Sequence, residues 1–288
     1  MGRGLSVEAA FRAAAARLAR AGIEEPARES EFLAAAALDC TRPQLVLRRE
    51  NPISDKCAAL LARWTDERCR RKPLAYITGR QPFIHLDLQV DESVLIPRPE
   101  TELLVERAYE ALDRMDSSID AADVGTGSGN IALCLAGHPR ARRVYGIDIS
   151  AQALAVARAN EARLGRRTVE WRQDDLLSSF MRSDMRLALI AANLPYVRTE
   201  ALEALDPEVR WEPRLALDGG PDGLGPILRL IEQAQTVLLE SGVLLLEIGY
   251  DQAGVAENLK RRGLWNDVQL FRDLAGHPRI VQARRKAA

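Results

Sequence analysis

The sequence predicts an α/β protein in which a mostly parallel sheet with an antiparallel last strand follows a small all-helical N-terminal domain. Two observations support this prediction. From residue 121 onward, short apolar runs alternate with amphipathic segments, the order expected of parallel strands joined by helical crossovers. Before that, residues 6 to about 72 show only helical periodicity, and a segment with period-two alternation follows them.

Capping residues and prolines divide the N-terminal segment into four predicted helices. A serine hydroxyl can cap a first turn, and a proline suits that turn because its missing N–H would be unpaired there anyway. The residues that mark the four starts are Ser6, Pro26, Pro43 and Ser54. Residues 1–75 contain no catalytic constellation, so we expect a domain that positions the substrate or a packing appendage.

Residues 76–100 are predicted to form a β-hairpin linker. The sequence alternates there with a period of two residues, which indicates strands. One set of positions holds Phe83, His85, Asp87 and Gln89, and the other holds Ile84, Leu86, Leu88 and Val90. Two prolines then stiffen the chain before an amphipathic helix that carries Leu104, Ala108 and Leu112. Arg98 and Glu100 are interpreted as a solvated helix start, since acidic residues are favoured in a first helical turn.

Residues 101–288 are predicted to form one α/β domain with a ligand site at the ends of its strands. A first strand at 121–124 breaks into the loop Gly125-Thr126-Gly127-Ser128-Gly129, and a helix begins at Asn130. Glycines let the backbone approach a ligand closely. The start of the helix offers N–H groups to a carboxylate or a phosphate.

Acidic residues follow the next two predicted strands. The strand at 144–148 ends in Asp148, about 20 residues beyond the glycine loop, the spacing at which a carboxylate meets ribose hydroxyls. The strand at 169–172 leads to Asp175 and Leu176. These two residues can read an adenine amino group and cover its ring.

The fourth predicted strand, at 187–192, delivers the tetrapeptide Asn193-Leu194-Pro195-Tyr196. Ligands of open α/β sheets lie beyond the carboxyl ends of the strands. An amide oxygen, a backbone carbonyl and an aromatic ring are the groups needed to hold a flat NH2 group. A polar turn after a strand would have the same composition, so the tetrapeptide alone does not decide between the two interpretations.

The rest of the chain completes the sheet. A turn-rich loop at 216–224 precedes another helix, and a fifth strand follows at 243–247. The segments at 268–271 and 279–283 are predicted to pair in antiparallel orientation. The tail Arg284-Arg285-Lys286 is interpreted as a solvated end.

The composition argues against several function classes. Forty basic and 41 acidic residues leave a formal charge of -1, so no overall positive field favours non-specific nucleic-acid binding. The four cysteines form no CxxC pair, which indicates reduced thiols and a cytoplasmic protein. His85, His138 and His277 lie far apart, and no metal site is expected. No apolar stretch reaches the ~20 residues of a membrane span, and we expect a monomer.

Three cofactors compete for the glycine loop, because several nucleotide-binding families share such a loop. A P-loop needs a lysine after its last glycine, whereas Asn130 follows Gly129. A dinucleotide site uses G-x-G-x-x-G, and this loop reads G-x-G-x-G. S-adenosylmethionine fits better. Its carboxylate can accept hydrogen bonds from the helix-start amides, and Asp148 can bind its ribose. Asp175 with Leu176 would take its adenine.

The glycine loop, Asp148 and the Asn193 tetrapeptide resemble those of class I methyltransferases that modify planar amino groups. Over nearly its whole length the chain resembles the bacterial peptide chain release factor glutamine methyltransferases. The segments that carry this resemblance are Pro73 to Gly79, Ile96 to Glu102, Trp211-Glu212-Pro213 and Gly219-Gly220. The resemblance implies a Rossmann-like class I methyltransferase domain that methylates the glutamine side-chain nitrogen (N5) in the Gly-Gly-Gln motif of release factors.

The site residues expected from the motifs and the resemblance fall into three groups. Asn193, Pro195 and Tyr196 would be catalytic, and all four residues of the tetrapeptide would bind the substrate. The cofactor would be bound by Gly125, Thr126, Gly127, Ser128, Gly129, Asp148, Asp175, Leu176 and Asn193. The family's tetrapeptide is usually Asn-Pro-Pro-Tyr, and Leu194 departs from it. The backbone carbonyl survives this change, but some stiffness is lost.

Four alternatives remain open. An adenine-N6 methyltransferase on DNA or RNA would use the same tetrapeptide. The sister ribosomal-protein glutamine methyltransferases have a different sequence at Ile96 to Glu102. The third alternative is a non-catalytic cofactor-binding module. The fourth is a dehydrogenase, which the spacing of the glycines in the loop disfavours.

Overall fold

The computed structural model describes residues 5–165 and 169–287. They form two compact units. The first, called the helical unit, comprises the residues up to Arg80 together with Asp206–Trp211, and the second, called the sheet unit, comprises Gln81–Leu205 and Glu212–Ala288. The predicted three-part division at 75 and 100 stays a prediction. Within the described residues, no helix combines the length and apolar character needed to cross a membrane.

The helical unit contains five helices within residues 5–80, and the four predicted helices are among them. Their bounds are α1 (Val7–Arg20), α2 (Pro26–Ala37), α3 (Arg42–Leu47), α4 (Asp55–Cys69) and α5 (Leu74–Thr78). Ser6 and Ser54 cap α1 and α4 by accepting hydrogen bonds from backbone N–H groups, as predicted. The helix α3 starts one residue before Pro43, because Thr41 and Gln44 form a capping box.

A nearly buried guanidinium attaches the segment Asp206–Trp211 to the rest of the helical unit. Arg68, on α4, contacts Glu29 at 2.6 Å and Glu208 at 2.9 Å. Arg71 also contacts Glu208, at 2.8 Å. A buried charge is tolerated when its hydrogen-bonding groups are satisfied by opposite charges, and here two carboxylates do so.

A hairpin begins the sheet unit. Its strands are β1 (Arg80–Phe83) and β2 (Leu86–Gln89), which confirms the predicted hairpin. Phe83 and Leu86 are both buried, although strict alternation would place them on opposite faces. The turn resolves this difference, because Ile84 has a φ of 52° and its side chain is exposed.

The main sheet has seven strands in the order β5-β4-β3-β6-β7-β9-β8. The strands are β3 (Ile119–Val124), β4 (Ala141–Asp148), β5 (Glu170–Gln173), β6 (Leu187–Ala192), β7 (Leu238–Glu247), β8 (Trp265–Arg272) and β9 (Pro278–Arg285). The first five in this order pair in parallel, and β9 is antiparallel to β7 and β8. The predicted fold class and its antiparallel last strand are confirmed.

Helices cover both faces of this sheet. They are α6 (Pro99–Asp113), α7 (Asn130–Ala136), α8 (Ala151–Leu164), α9 (Ser178–Met181), α10 (Gly225–Val237) and α11 (Gly254–Arg261). Short 3-10 helices lie at Thr199–Ala204, Val209–Trp211 and Arg214–Ala216.

Every residue of β6 is buried, which is why its sequence is a continuous apolar run without alternation.

The structure corrects the interpretation of the tail. Arg284 and Arg285 belong to β9 and are half-buried. The Arg285 guanidinium donates a hydrogen bond to the Leu238 carbonyl at 3.0 Å. The prediction of a solvated end is therefore wrong for these two residues, because their side chains cover the beginning of β7.

We expect Gly146→Ala to destabilise the sheet unit, since a Cβ at Gly146 would lie 2.3 Å from the Trp171 ring on the neighbouring strand. Overpacking of this kind costs about 1–3 kcal/mol. Gly254→Ala is the matched control, because a Cβ there meets nothing within 4 Å at the first residue of α11. Urea unfolding would measure both changes. Equal stabilities for the two variants would contradict the packing argument.

Candidate active site

The strand order creates a crevice at the carboxyl ends of β3 and β6. From β3 the chain runs to β4 and β5 on one side, and it then returns to β6 and β7 on the other. Such a reversal of strand order is where open α/β sheets bind their ligands. The glycine loop follows β3, Asp148 ends β4, and Asn193 follows β6. The structure thus brings these predicted site residues to neighbouring strand ends.

The glycine loop is a tight turn that requires its glycines. Gly125, Gly127 and Gly129 have φ values of 76°, 53° and 85°, and side chains rarely tolerate this region. The N–H groups of Gly125 and Thr126 both donate to the Ile147 carbonyl, at 2.8 and 2.9 Å. These bonds hold the loop against the neighbouring strand β4.

The Asp148 carboxylate lies against the glycine loop. It accepts hydrogen bonds from the Gly127 N–H and the Ser150 N–H, both at 2.9 Å. Burial raises the pKa of this carboxyl above its usual value. A carboxylate has about four lone-pair sites, so Asp148 can still accept a hydrogen bond from a hydroxyl group.

Beneath the loop, two polar atoms are buried without a partner in the described part of the chain. They are Asp123 Oδ1 and Ser128 Oγ. The other oxygen of Asp123 accepts from the Thr126 hydroxyl at 2.5 Å and from the Ala132 N–H at 2.9 Å. Unpartnered buried polar atoms are uncommon in folded proteins. Their presence here fits a loop that hydrogen-bonds a polar ligand.

Asp175 and Leu176 lie beyond the end of β5, next to β4 in the sheet. The Asp175 carboxylate contacts the Arg229 guanidinium of α10 at 2.5 Å, and both side chains are about half exposed. An exposed pair of this kind contributes little stability, so a ligand can displace it. Leu176 has a φ of 56°, an uncommon backbone conformation for leucine.

Asn193 is held at its amide nitrogen. Its Nδ2 donates to Thr101 Oγ1 at 3.1 Å, and the Thr101 hydroxyl donates to Glu247 Oε2 at 2.7 Å. No hydrogen bond to Asn193 Oδ1 or to the Leu194 carbonyl occurs within residues 5–165 and 169–287. Two acceptors of the tetrapeptide therefore remain available.

The Leu194 side chain packs against the glycine loop. It is buried, and a Cβ at Gly125 would lie 2.9 Å from Leu194 Cδ2. The residue that departs from the family pattern is thus a packing contact between the loop after β3 and the tetrapeptide after β6. Its backbone carbonyl plays no part in this contact.

A second loop supports the other end of the tetrapeptide. The Gln252 amide donates to the carbonyls of Tyr196 and Gly223, at 3.0 and 3.1 Å. A Cβ at Gly219 would lie 2.8 Å from the Pro195 carbonyl oxygen. The predicted turn-rich loop therefore requires glycine where it touches the tetrapeptide.

Tyr196 is surrounded by charged groups. Burial raises the pKa of its hydroxyl to about 12, and the neighbouring charges that act on it include Glu247, Arg279, Arg98 and Glu100. The phenol therefore stays protonated at neutral pH. Its ring is partly buried against the apolar core of the sheet.

Glu212 joins two of the segments that carried the family resemblance. It is buried, accepts a hydrogen bond from the Ile96 N–H at 3.1 Å, and forms an ion pair with Arg98. The interpretation of Arg98 as part of a solvated helix start is therefore wrong. Its guanidinium compensates a buried carboxylate that arrives from a distant part of the chain.

Three further residues near the site were not found from the sequence. Thr101 accepts a hydrogen bond from the Asn193 amide and donates one to Glu247. Asn160 is fully buried on α8 and bonds the backbone of Gln89 and the Ser128 carbonyl, so it ties the hairpin to the glycine loop. Of these three residues, only Asn160 has a pattern in the sequence that could have revealed it. It is a polar residue one turn from Ala157 on an otherwise apolar helix face.

Comparison with known proteins agrees with this architecture. Residues 9–79 match the model of the PrmC N-terminal domain, and residues 121–210 match a methyltransferase domain. A release factor glutamine methyltransferase of Moorella thermoacetica is 42% identical over 284 residues, which cover 98% of this chain and 99% of the relative. One from Caulobacter vibrioides is 38% identical over 278 residues, which cover 96% of each chain.

Among solved structures, a methyltransferase from Pyrococcus furiosus matches with a TM-score of 0.53. It is 16% identical in sequence, and the match covers 78% of this chain and 100% of that one. This likeness concerns the fold.

The buried Asp123 predicts a pH-dependent stability. Burial raises its pKa from 3.8 to about 7, although hydrogen bonds from Thr126 and Ala132 oppose the shift. The folded protein therefore holds a proton that the unfolded chain releases between about pH 4 and about pH 7, and stability falls as the pH rises through this window. The loss amounts to at most about 1.4 kcal/mol per pH unit.

Asp123→Asn removes this titration while keeping an oxygen for both hydrogen bonds. We expect the wild type to lose stability relative to the variant between about pH 4 and about pH 7 in urea unfolding. Glu247 titrates in both proteins, so its contribution cancels in the comparison. A wild-type-to-variant difference that is constant over this range would contradict the raised pKa.

Proposed function

The chain belongs to the family of release factor glutamine methyltransferases, and on this premise we propose that it methylates the side-chain nitrogen (N5) of the glutamine in the Gly-Gly-Gln motif of release factors. The methyl donor is S-adenosylmethionine. The observation that carries the proposal is the pair of acceptors at the end of β6 that have no hydrogen-bond partner among the described residues. Asn193 Oδ1 and the Leu194 carbonyl are two oxygens, and a carboxamide NH2 group has two hydrogens to give.

The glycine loop fits the cofactor. Asp123 Oδ1 and Ser128 Oγ are buried polar atoms that lack partners in the described residues, and Asp148 borders the same loop. We propose that Gly125 to Gly129 hold the amino-acid part of S-adenosylmethionine and that Asp148 holds its ribose. Asp175, on release from Arg229, and Leu176 would hold the adenine. When bound, the cofactor supplies a methyl group made electrophilic by its positively charged sulfur.

The tetrapeptide would act by orientation. An amide nitrogen is a poor nucleophile, because its lone pair is delocalised into the carbonyl. Asn193 and the Leu194 carbonyl would accept both N–H groups and so fix the direction in which the nitrogen presents its lone pair. Orientation can contribute about 7 kcal/mol or more in well-aligned reactions. The nitrogen gains a methyl group and gives up one proton, which would leave to water.

Pro195 and Tyr196 would complete the substrate site. The Gln252 amide donates a hydrogen bond to the Tyr196 carbonyl, and the loop at Gly219 packs closely against the Pro195 carbonyl, so the backbone after Leu194 is restrained. The Tyr196 ring would lie against the flat face of the substrate amide. Its raised pKa keeps the hydroxyl neutral, so the ring brings no charge to the reacting nitrogen.

We also propose that the protein acts as a monomer in the cytoplasm, without direct contact to nucleic acid. The formal charge of -1 supports the last of these points, because no excess of positive charge draws the chain to nucleic acid. Transfer of radiolabelled methyl groups to an unmethylated release factor, to a ribosomal protein and to DNA or RNA would separate the proposed function from its alternatives. Label on nucleic acid alone would overturn the proposal.

Two substitutions should separate catalysis from cofactor binding. Asn193→Ala removes an acceptor of the substrate amide, and we expect turnover to fall by about 100-fold or more while cofactor binding weakens less. Asp148→Ala should instead raise the cofactor dissociation constant more strongly, because a half-buried acceptor is lost. Calorimetric titration with the cofactor and methyl transfer to release factor measure the two effects. Near wild-type turnover by Asn193→Ala would remove Asn193 from the proposed role.

A further inference from the structure

We propose that Thr101 and Glu247 are positioning residues that determine which end of the Asn193 amide faces the substrate, and that protonation of Glu247 releases this orientation. The inference rests on the proposed function, since it concerns the amide that would accept the substrate's NH2 group. Neither residue would touch the substrate. Both would act through Asn193.

The direction of the hydrogen bonds follows from the chemistry of the three groups. An ionised carboxylate only accepts, so Thr101 must donate its single hydroxyl hydrogen to Glu247. The distance of 2.7 Å agrees with a charge-assisted O–H···O bond. Thr101 then offers only lone pairs to Asn193. Asn193 must therefore donate an N–H of its amide, and its Nδ2 lies 3.1 Å from Thr101 Oγ1.

This direction leaves the amide oxygen of Asn193 as the group that faces away from Thr101. With the amide turned around, the oxygen would face Thr101 and the NH2 group would meet the NH2 group of the substrate. Two donors cannot form a hydrogen bond, and the substrate amide would lose one of its two acceptors. The chain of hydrogen bonds from Asn193 through Thr101 to Glu247, called the relay, therefore selects the productive orientation.

The relay is placed where it can hold this orientation. Thr101 and Glu247 are each only 1% exposed, so water does not compete for their hydrogen bonds. Thr101 belongs to the first turn of α6, and Glu247 is the last residue of β7. Groups built on such regular elements are held more precisely than groups on loops.

Charged and titratable groups from three directions face Glu247. They are Arg98 and Glu100 at the start of α6, Arg279 on β9, and Tyr196 after β6. Burial raises the pKa of the Glu247 carboxyl to about 7, while Thr101, Arg279 and Arg98 favour the ionised form. Glu247 is thus ionised above neutral pH and protonated below it.

Protonation reverses the argument for the direction of the bonds. A protonated Glu247 can donate to Thr101, and the Thr101 hydroxyl hydrogen then becomes free to bond the Asn193 oxygen. Both orientations of the Asn193 amide then find a partner, and the productive one is no longer selected. We therefore expect the rate of methyl transfer to fall as the pH drops through about 7.

Isosteric substitutions test the relay. Thr101→Val keeps the shape of the side chain but removes the hydroxyl, and we expect kcat to fall about 10- to 100-fold with little change in KM or in the cofactor dissociation constant. Thr101→Ser should restore most of the rate. The double variant Thr101→Val/Glu247→Leu removes both polar partners, so it keeps the test valid if a lone buried carboxylate impairs folding.

Thr65→Val is the matched control. Thr65 is also fully buried, and its hydroxyl donates to the Leu61 carbonyl within α4 of the helical unit. This variant loses a buried hydroxyl without touching Asn193. Its thermal stability should fall, while kcat should stay at the wild-type value.

The dependence of kcat on pH tests the switch. With one release factor as substrate, the wild type should show an acid limb near about pH 7, and Glu247→Gln should lack it. Titrations of the substrate are common to both enzymes and cancel. An unchanged acid limb in Glu247→Gln, or wild-type kcat in Thr101→Val, would overturn the relay. Absence of methyl transfer to release factor by the wild type would instead overturn the proposed function.

Discussion

Close approach of backbone segments, made possible by missing side chains, is the constraint on which the site depends. Gly125 leaves room for Leu194, and Gly219 leaves room for the Pro195 carbonyl. Gly223 leaves room for the Tyr196 carbonyl, since a Cβ at position 223 would clash with that carbonyl oxygen. The tetrapeptide after β6 is thus held between two glycine-containing loops, and a methyl group at any of these glycines would move it.

Buried carboxylates organise the same region. Asp123 lies under the glycine loop, Glu247 lies behind Asn193, and Glu212 holds the start of the segment that leads into α6. A buried carboxylate is costly unless hydrogen bonds or opposite charges compensate it. Glu247 and Glu212 are bonded to Thr101 and Ile96, which lie 146 and 116 positions away in the sequence, so these two acids join elements that the backbone does not connect locally. Asp123 instead bonds Thr126 and Ala132 in the loop and helix that directly follow β3.

The sequence was sufficient for those features that depend on local patterns. The apolar run at 187–192 predicted β6, the glycines predicted the loop after β3, and serine caps predicted α1 and α4. Thr101 and Glu247 could not be found in this way, because they are 146 positions apart and neither forms a motif alone. The same holds for Glu212 and Ile96, whose contact exists only once the sheet has brought distant segments together. Predicted strands were also too short at β7, which begins at the buried Leu238, and at β9, where Arg284 and Arg285 extend the hydrogen-bonded ladder.

The segment Asp206–Trp211 belongs to the helical unit although its neighbours on both sides belong to the sheet unit. Glu208 neutralises Arg68 and Arg71 there, and Lys72 lies 5.6 Å from the centre of the Trp211 ring. During synthesis, the first 80 residues leave the ribosome long before this segment exists. Until more than two-thirds of the chain has been made, the Arg68 guanidinium therefore has only Glu29 as a carboxylate partner among the described residues 5–80. A fragment that ends at Arg80 would keep that incomplete state permanently, so cutting the gene at the apparent boundary would not yield the native helical unit.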